Sequence, residues 1–180
     1  RQIEDLASGK SKIDTLKPVS IEDLLRRDTV NPDLNLLKNS VNKKVVCVTG
    51  GGGSIGSELC RQIFSLQPKS LVILDNSEFN LYKIKCELDI FKVINIEVHY
   101  LLLDCINEKE LICEFTKHNV NIVFHSAAYK HVPMVEINPI YGIKNNVFST
   151  LAICEAAIKT NVNAVILIST DKAVRPTNIM

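Results

Sequence analysis

The stretch VVCVTGGGGSIGSE, Val45 to Glu58, decides the fold of this chain. A short β-branched run is followed by four consecutive glycines and then by a helix-like segment. Gly50, Gly53 and Gly56 have the spacing G-x-x-G-x-x-G. Glycine adopts turns that other residues avoid and lets the main chain approach a ligand closely. The stretch therefore predicts a strand, a tight turn and a helix built around something that must come near the backbone.

The rest of the chain repeats this strand–helix alternation. Five apolar runs without clean period-2 alternation predict buried strands, and four segments between them predict helices. Parallel strands need crossover connections, which supply the helices that cover the sheet. We therefore expect an α/β fold, a doubly wound, mainly parallel Rossmann-type sheet flanked by helices. The expected strands are 44–49, 70–75, 96–104, 120–126 and 163–170, and the expected helices are 54–67, 79–91, 107–119 and one within 139–160.

Composition limits the classes of function. The 180 residues are 46% hydrophobic and 23% charged, with a net charge of +1, which gives no bulk attraction for nucleic acid. No apolar run approaches the roughly 18 residues of a membrane helix. The six scattered cysteines show no metal-ligand spacing and suit a reducing cytoplasmic compartment. Residues 1–40, with short helical patterns at 3–6 and 20–28, are expected to form an arm or linker before a domain at 41–180.

The glycine turn predicts a dinucleotide site. In a doubly wound fold the ligand crevice lies at the carboxyl ends of the strands, where this turn falls. The backbone N–H groups of Ser54 and Ile55 would open the following helix and face a pyrophosphate, which the helix dipole also attracts. A P-loop is excluded because no Lys-Ser/Thr pair follows the glycines. A flexible glycine loop without function is the remaining alternative.

Two acidic residues are candidates for the adenosine half of the ligand. Asp75 ends the second strand 19 residues after Gly56, where a carboxylate binds ribose hydroxyls and repels a 2′-phosphate, which favours NAD over NADP. The alternative is that Asp75 caps the helix that begins near Asn76 or Ser77, and capping does not exclude ribose binding. Asp104 closes the expected third strand and faces either the adenine amino group or its own loop.

Several segments together carry a family resemblance. The chain resembles the extended short-chain dehydrogenase/reductases and, more narrowly, the nucleotide-sugar 4,6-dehydratases, with the long membrane-anchored UDP-N-acetylglucosamine 4,6-dehydratases as the nearest type. The resemblance implies NAD, a UDP-sugar substrate and a homo-oligomer. It also implies an inner-membrane parent with its enzyme on the cytoplasmic face, of which this chain would be a soluble fragment without the C-terminal substrate lobe. The matching segments are VTGGGGSIGSELCRQI, LDNSEFNLY, FHSAAYKHVPMVE, KNNVFST and STDKAVRPTN.

The resemblance assigns the chemistry to residues near the end of the chain. Related dehydratases carry Thr-Asp-Glu where this sequence has Thr170, Asp171 and Lys172. Asp171 would be the acid for the departing hydroxyl and Lys172 the C5 base, which requires a neutral, desolvated lysine. Met180 aligns with the tyrosine that deprotonates C4 elsewhere in the superfamily. Because methionine has no transferable proton, the C4 base would be another group, Asp171 or Lys172.

Further candidates lie around the expected crevice. Ala127 and Ala128 are small where the cofactor would cross the fourth strand, or where a helix packs tightly. Lys130 and His131 would meet the diphosphate or the sugar. Either Thr170 or Ser169 would hydrogen-bond the C4 oxygen, and Ser169 is also a candidate for binding the cofactor. Asn145 and Asn146 are either cofactor-side or satisfied core amides. No metal site is expected, because His125 and His131 lack a third ligand.

We therefore expect an NAD-binding domain of a UDP-N-acetylglucosamine 4,6-dehydratase acting in bacterial surface-polysaccharide or protein-glycan synthesis. The domain by itself is expected to bind cofactor without converting the sugar. A UDP-sugar 4-epimerase shares the cofactor turn and the C4 oxidation, but it needs no acid/base pair for elimination across C5 and C6. A non-catalytic dinucleotide-binding scaffold is the third alternative, because a fold alone does not establish activity.

Overall fold

The computed structural model describes residues 32–90, 96–176, 178 and 179, and nearly all of them lie in one compact unit, Leu34–Met180. The expected helical segments at 3–6 and 20–28, most of the arm at 1–40, and Met180 lie outside the described residues. The side chain of Asp171 is also outside them.

Five parallel strands form one sheet in the order β3-β2-β1-β4-β5. Their register is continuous, with Val46 opposite both Leu71 on β2 and Ile122 on β4. This arrangement confirms the predicted doubly wound sheet. The strands are β1 Val45–Thr49, β2 Ser70–Asp75, β3 Glu97–Leu102, β4 Ile122–His125 and β5 Ala164–Leu167.

Helices connect the strands and cover the sheet. A π-helical turn, Lys144–Phe148, joins the sixth and seventh helices, and a 3₁₀ turn, Asp171–Ala173, follows β5. The helices are α1 Leu34–Val41, α2 Ser54–Ser65, α3 Glu78–Asp89, α4 Glu108–His118, α5 Val132–Ile137, α6 Pro139–Ile143 and α7 Ser149–Lys159.

Alternate residues of the strands pack into two separate hydrophobic cores, one on each face of the sheet. Val46 and Val48 of β1 pack with residues of α1, α2 and α3 on one face. Val45 and Cys47 pack with residues of α4 and α7 on the other. Every residue of β1 and β2 is buried, which explains why their sequences are apolar runs without alternation.

Local signals set the limits of the helices. Ser77 caps α3 by accepting a hydrogen bond from Asn80 N, and Asn107 caps α4 in the same way through Glu110 N. Asn119 ends α4 in the left-handed conformation, with φ of 53°. The first three expected helices match α2, α3 and α4 to within two residues at each end, whereas the segment 139–160 is divided into α6, the π-helical turn and α7.

Candidate functional site

The glycine turn lies at the carboxyl edge of the sheet, directly after β1. Gly50 has φ of +63°, and a Cβ there would come within 2.8 Å of the Ala127 backbone. At Gly56 a Cβ would lie 1.9 Å from the carbonyl oxygen of Gly50. Both positions therefore need glycine: the first for its backbone conformation and the second because α2 begins against the turn itself.

The N-terminus of α2 carries free hydrogen-bond donors. Its N-cap residue is Gly53, which has no side chain to cap it, and its first backbone hydrogen bond runs from Ser57 N to Gly53 O at 2.9 Å. Within the described part of the chain, the N–H groups of Ser54, Ile55 and Gly56 have no acceptor. Uncapped N–H groups at a helix N-terminus are donors suited to an anion.

Lys130 adds a positive charge beside these donors. Its Nζ lies 3.4 Å from Ser54 Oγ and donates to it, so the ammonium group stands over the first turn of α2. The side chain comes from the loop after β4, which runs along the glycine turn. Backbone donors and a cation therefore converge where an anionic group would be held.

Two adjoining cavities flank the turn, one of about 470 Å³ and one of about 170 Å³. The larger lies between the start of α2 and the segment from Lys130 to Gly142, and Ile55, Met134 and Val135 supply part of its apolar wall. The expected site residues in its lining are Gly50, Gly53, Ser54, Ile55, Gly56, Ala128, Lys130 and His131.

Both acidic candidates, Asp75 and Asp104, line the smaller cavity. Asn145 also lines it, from the π-helical turn. Gly50, Gly53, Ser126, Ala128 and Tyr129 border both cavities, so the two are halves of one cleft. The expected site residues that line the smaller half are Gly50, Gly53, Asp75, Asp104, Ala127 and Ala128.

Asp75 is buried and already holds two backbone groups. Its Oδ2 accepts from Gly52 N and its Oδ1 from Ser77 N, both at 2.9 Å. The carboxylate thus fixes the glycine turn and the residue that begins α3, whereas the helix cap that the alternative assigned to Asp75 is Ser77. A carboxylate has about four acceptor positions, so two remain for hydroxyl groups of a ligand. Holding these two backbone groups is therefore compatible with ligand binding.

Asp104 lies farther from the strand than the sequence predicted. β3 ends at Leu102 rather than at 104, and Asp104 belongs to the following loop. Its carboxylate is exposed and accepts from Ile106 N at 3.0 Å. The residue therefore closes its loop and lines the smaller cavity at the same time.

Of the residues expected to act on the sugar, Ser169, Thr170 and Lys172 are described; they lie beyond β5 and outside the lining of either cavity. β5 pairs only with β4 among the described strands, and that pairing ends at His125–Leu167. The chain then leaves the sheet, so the strand stops short of the expected 170. Ser169, Thr170 and Lys172 are exposed, and Thr170 Oγ1 accepts from Lys172 N at 3.4 Å.

Sequence reasoning missed the contacts of His125. Its ring is buried, with Thr49 Oγ1 2.6 Å from Nδ1 and Thr150 Oγ1 3.1 Å from Nε2. Burial lowers the pKa of His125 to about 4. The signal was present in the strand register, because Thr49 and His125 end neighbouring strands and pair directly.

The cleft fits a dinucleotide. On one side of the glycine turn lie the free backbone donors of α2 and a lysine, which suit phosphate groups. On the other side lies a buried carboxylate, which suits hydroxyl groups. The described residues contain no group of three or more His, Cys, Asp or Glu side chains that could hold a metal. In the same part of the chain no helix has the length and apolarity needed to cross a bilayer.

Fold and cleft together define a protein of the Rossmann-type, dinucleotide-binding class. More narrowly, the chain belongs to the polysaccharide biosynthesis protein family, whose model matches residues 46–180. This membership confirms the family resemblance of the sequence segments.

Three curated relatives illustrate the range of the family. The capsular polysaccharide biosynthesis protein CapD of Staphylococcus aureus is 39% identical over 99% of this chain and 30% of its own length. A UDP-glucose 4-epimerase of Rickettsia rickettsii is 36% identical, over 76% of this chain and 39% of that protein. A UDP-N-acetylglucosamine 4,6-dehydratase (inverting) of Campylobacter jejuni is 30% identical, over 77% of this chain and 40% of that protein.

A solved structure supports the fold. The X-ray structure of Pen from Bacillus thuringiensis matches with a TM-score of 0.71 and 30% identity, covering 77% of this chain and 42% of that chain. The present chain therefore spans less than half the length of each of these relatives.

Proposed function

We propose that this chain is the NAD-binding domain of a UDP-N-acetylglucosamine 4,6-dehydratase that acts in surface-polysaccharide or glycan synthesis. The observation that carries the proposal is the convergence of uncapped α2 donors and Lys130 on the cleft that also contains Asp75. The name of the Campylobacter jejuni relative supports the reaction, and the CapD relative supports the biosynthetic setting.

The two halves of the cleft suit the two ends of a dinucleotide. The pyrophosphate would accept from the N–H groups of Ser54 and Ile55, with Lys130 neutralising its charge. The adenosine would occupy the smaller half, with its ribose hydroxyls on the free acceptor positions of Asp75. A buried carboxylate at that point would repel a 2′-phosphate, which favours NAD over NADP.

The bound NAD would supply the oxidant for C4 of the sugar. The chain's own residues would then handle protons at the carboxyl edge of the sheet, where the 3₁₀ turn after β5 carries Asp171 and Lys172. In this proposal Asp171 protonates the departing C6 hydroxyl and Lys172 removes the C5 proton, while Thr170 or Ser169 holds the C4 oxygen. Because Lys172 is exposed in this chain, the base role requires further covering of this edge.

A UDP-sugar 4-epimerase is the second candidate, favoured by the Rickettsia rickettsii relative. Both reactions begin with oxidation at C4 and would use the same cleft. They differ in product: an epimerase returns a sugar inverted at C4, whereas a dehydratase yields a 4-keto-6-deoxy sugar. Nuclear magnetic resonance of the product formed by the whole protein separates the two.

Binding of NAD to this chain tests the proposal directly. We expect calorimetry to show NAD binding, with NADP weaker by at least about tenfold because of its extra charge near Asp75. Replacing Lys130→Ala should weaken NAD binding by about tenfold, since an ammonium group on a phosphate is lost. Lys130 is exposed, so the fold should be unaffected.

The matched control is Lys69→Ala. Lys69 is exposed and precedes β2 at the amino edge of the sheet, away from the cleft. This variant should bind NAD like the parent chain. Absence of NAD binding at millimolar concentration would overturn the proposed function, and equal effects of the two lysine substitutions would remove Lys130 from the site.

A further inference from the structure

His125 is a buried titratable residue that the proposed chemistry does not use. It ends β4, and its ring lies between two threonine hydroxyls, that of Thr49 on β1 and that of Thr150 on α7. Burial lowers the pKa of the imidazole to about 4, so the ring is neutral near pH 7. A neutral imidazole has one donor and one acceptor nitrogen, and the surrounding hydrogen bonds determine which is which.

The contacts of Thr150 assign the tautomer. Its hydroxyl lies 2.7 Å from the backbone oxygen of Asn146, which can only accept, so the single hydroxyl proton of Thr150 is used there. Towards His125, Thr150 Oγ1 can then only accept, and Nε2 must carry the proton. Nδ1 is left as the acceptor for the Thr49 hydroxyl. The hydrogen bonds therefore run in one direction, from Thr49 through His125 and Thr150 to Asn146.

Asn146 connects this series of hydrogen bonds to the wall of the cleft. It belongs to the π-helical turn, and its side chain clamps the backbone of Tyr129: Oδ1 accepts from Tyr129 N at 2.8 Å, and Nδ2 donates to Tyr129 O at 3.1 Å. Tyr129 borders both cavities and precedes Lys130. π-Helical turns are frequent at functional sites because they redirect side chains out of the regular helical pattern.

We propose that His125 is a positioning residue: its Nε2–H, acting through Thr150 and Asn146, holds the loop from Ser126 to Lys130 in the conformation that binds the cofactor. This inference rests on the proposed NAD function. The alternative is that His125 merely fills the interior. The two differ because positioning depends on one nitrogen of the ring, whereas filling depends on its volume.

The tautomer can be measured without NAD. Nitrogen-15 spectra of the imidazole rings at pH 7, with His125 assigned by its loss in His125→Gln, should show a proton on Nε2 and none on Nδ1. A proton on Nδ1 would overturn the proposal, because the path to Asn146 would then lack its donor. This outcome does not depend on whether the chain binds NAD.

Two substitutions of His125 separate the nitrogens. The amide group of Gln reaches the position of Nε2 and can still donate to Thr150, whereas the shorter Asn reaches only the position of Nδ1 and can only serve Thr49. We expect His125→Gln to bind NAD within about twofold of the parent chain and His125→Asn to bind about fivefold or more weakly. Equal affinities for the two variants would overturn the positioning role.

Thr150 offers a rescue and a matched control. Thr150→Val removes the hydroxyl at nearly constant volume and should weaken NAD binding by about fivefold, while Thr150→Ser should restore it to within about twofold. Thr160 makes the same hydroxyl contact to a carbonyl four residues back, Ala156 O at 2.8 Å, at the other end of α7. Thr160→Val should therefore leave NAD affinity unchanged.

Hydrogen exchange of the Tyr129 amide tests the positioning role without measuring NAD affinity. The Tyr129 amide, held by Asn146, should exchange faster in Thr150→Val than in Thr160→Val at the same temperature. If the parent chain fails to bind NAD, the proposed function is overturned. The tautomer and the exchange rate of the Tyr129 amide still test whether His125 holds the loop. If the parent binds NAD and Thr150→Val matches it in affinity and exchange, the inference is overturned.

Discussion

At the scale of single residues, the glycine turn depends on the missing side chain of Gly56. A Cβ on Gly56 would lie 1.9 Å from the Gly50 carbonyl oxygen, so any other residue would push α2 away from the turn. The spacing of the glycines predicted this cradle, because each glycine role depends on local backbone geometry. Spacing alone did not show that Gly56 packs against the turn itself rather than against the strand.

His125 illustrates what residue patterns leave out. In the sequence it is one histidine in an apolar run, considered only as half of a metal pair with His131. Its partners, Thr49 and Thr150, lie 76 and 25 residues away and meet it only through the pairing of β1 with β4 and the packing of α7. Contacts of this kind depend on register, which a single sequence specifies only indirectly.

The buried imidazole predicts a specific loss of stability in acid. His125 has a pKa of about 4 in the folded chain because of burial, against an ordinary value of 6.5. The unfolded chain therefore binds more protons between these values, and folding stability falls as the pH drops through 6.5 towards 4. We expect the His125 contribution to cost about 2 kcal/mol between pH 7 and pH 5, measured by urea unfolding.

The His125→Gln variant isolates this contribution. Glutamine does not titrate, so the variant should lose about 2 kcal/mol less than the parent chain over the same pH interval. Burial also lowers the pKa of His99, but that effect is common to both proteins and cancels in the comparison. Parallel stability curves for parent and variant would contradict the prediction.

At the scale of elements, the strand–helix alternation was predictable and several ends were not. Apolar runs predicted the positions of all five strands, although only β1 and β2 are buried along their whole length and β3 and β5 are exposed or half-buried. The end of β5 is set by its partner β4, whose pairing stops at His125, so the apolar run to 170 was misleading. The π-helical turn at Lys144–Phe148 was also invisible, because its periodicity differs from that of an α-helix over one turn only.

Burial predicts unequal protection among the strands. All five residues of β1 are buried, whereas the four of β5 are exposed or half-buried and pair with one strand among those described. Backbone amides of Val46 and Cys47 should therefore exchange with solvent only on global unfolding. Those of Val165 and Ile166 should exchange through local opening, at rates faster by about tenfold or more.

Native-state hydrogen exchange in low denaturant measures this difference. The β5 amides should show little dependence on denaturant, while the β1 amides should follow the free energy of global unfolding. β2 is the internal control, because it is as buried as β1 and should match it. Protection of β5 equal to that of β1 would mean that its exposed face is covered in solution.

At the scale of the whole molecule, this chain contains a cleft suited to cofactor binding, whereas the described residues that are expected to act on the sugar lie outside that cleft. The cleft is lined by the glycine turn after β1, the start of α2, the end of β2, the loop after β4 and the segment from α5 to the π-helical turn, all inside the described unit. Lys172, the expected base, is exposed in the 3₁₀ turn after β5. The match covers only 30% of the CapD relative and 40% of the Campylobacter jejuni relative, so the covering that elimination chemistry needs has room to come from the rest of such a protein.

We therefore expect the 180-residue chain to bind NAD and to leave UDP-N-acetylglucosamine unchanged. Abstraction of the C5 proton needs a neutral lysine and a site closed to water, and Lys172 is exposed here. The measurement is nuclear magnetic resonance of the sugar after overnight incubation with the chain and excess NAD. Calorimetry on the same sample, showing bound NAD, excludes misfolding as the cause of inactivity. The whole protein should form a 4-keto product under the same conditions, and formation of that product by the chain alone would show that Lys172 needs no further covering.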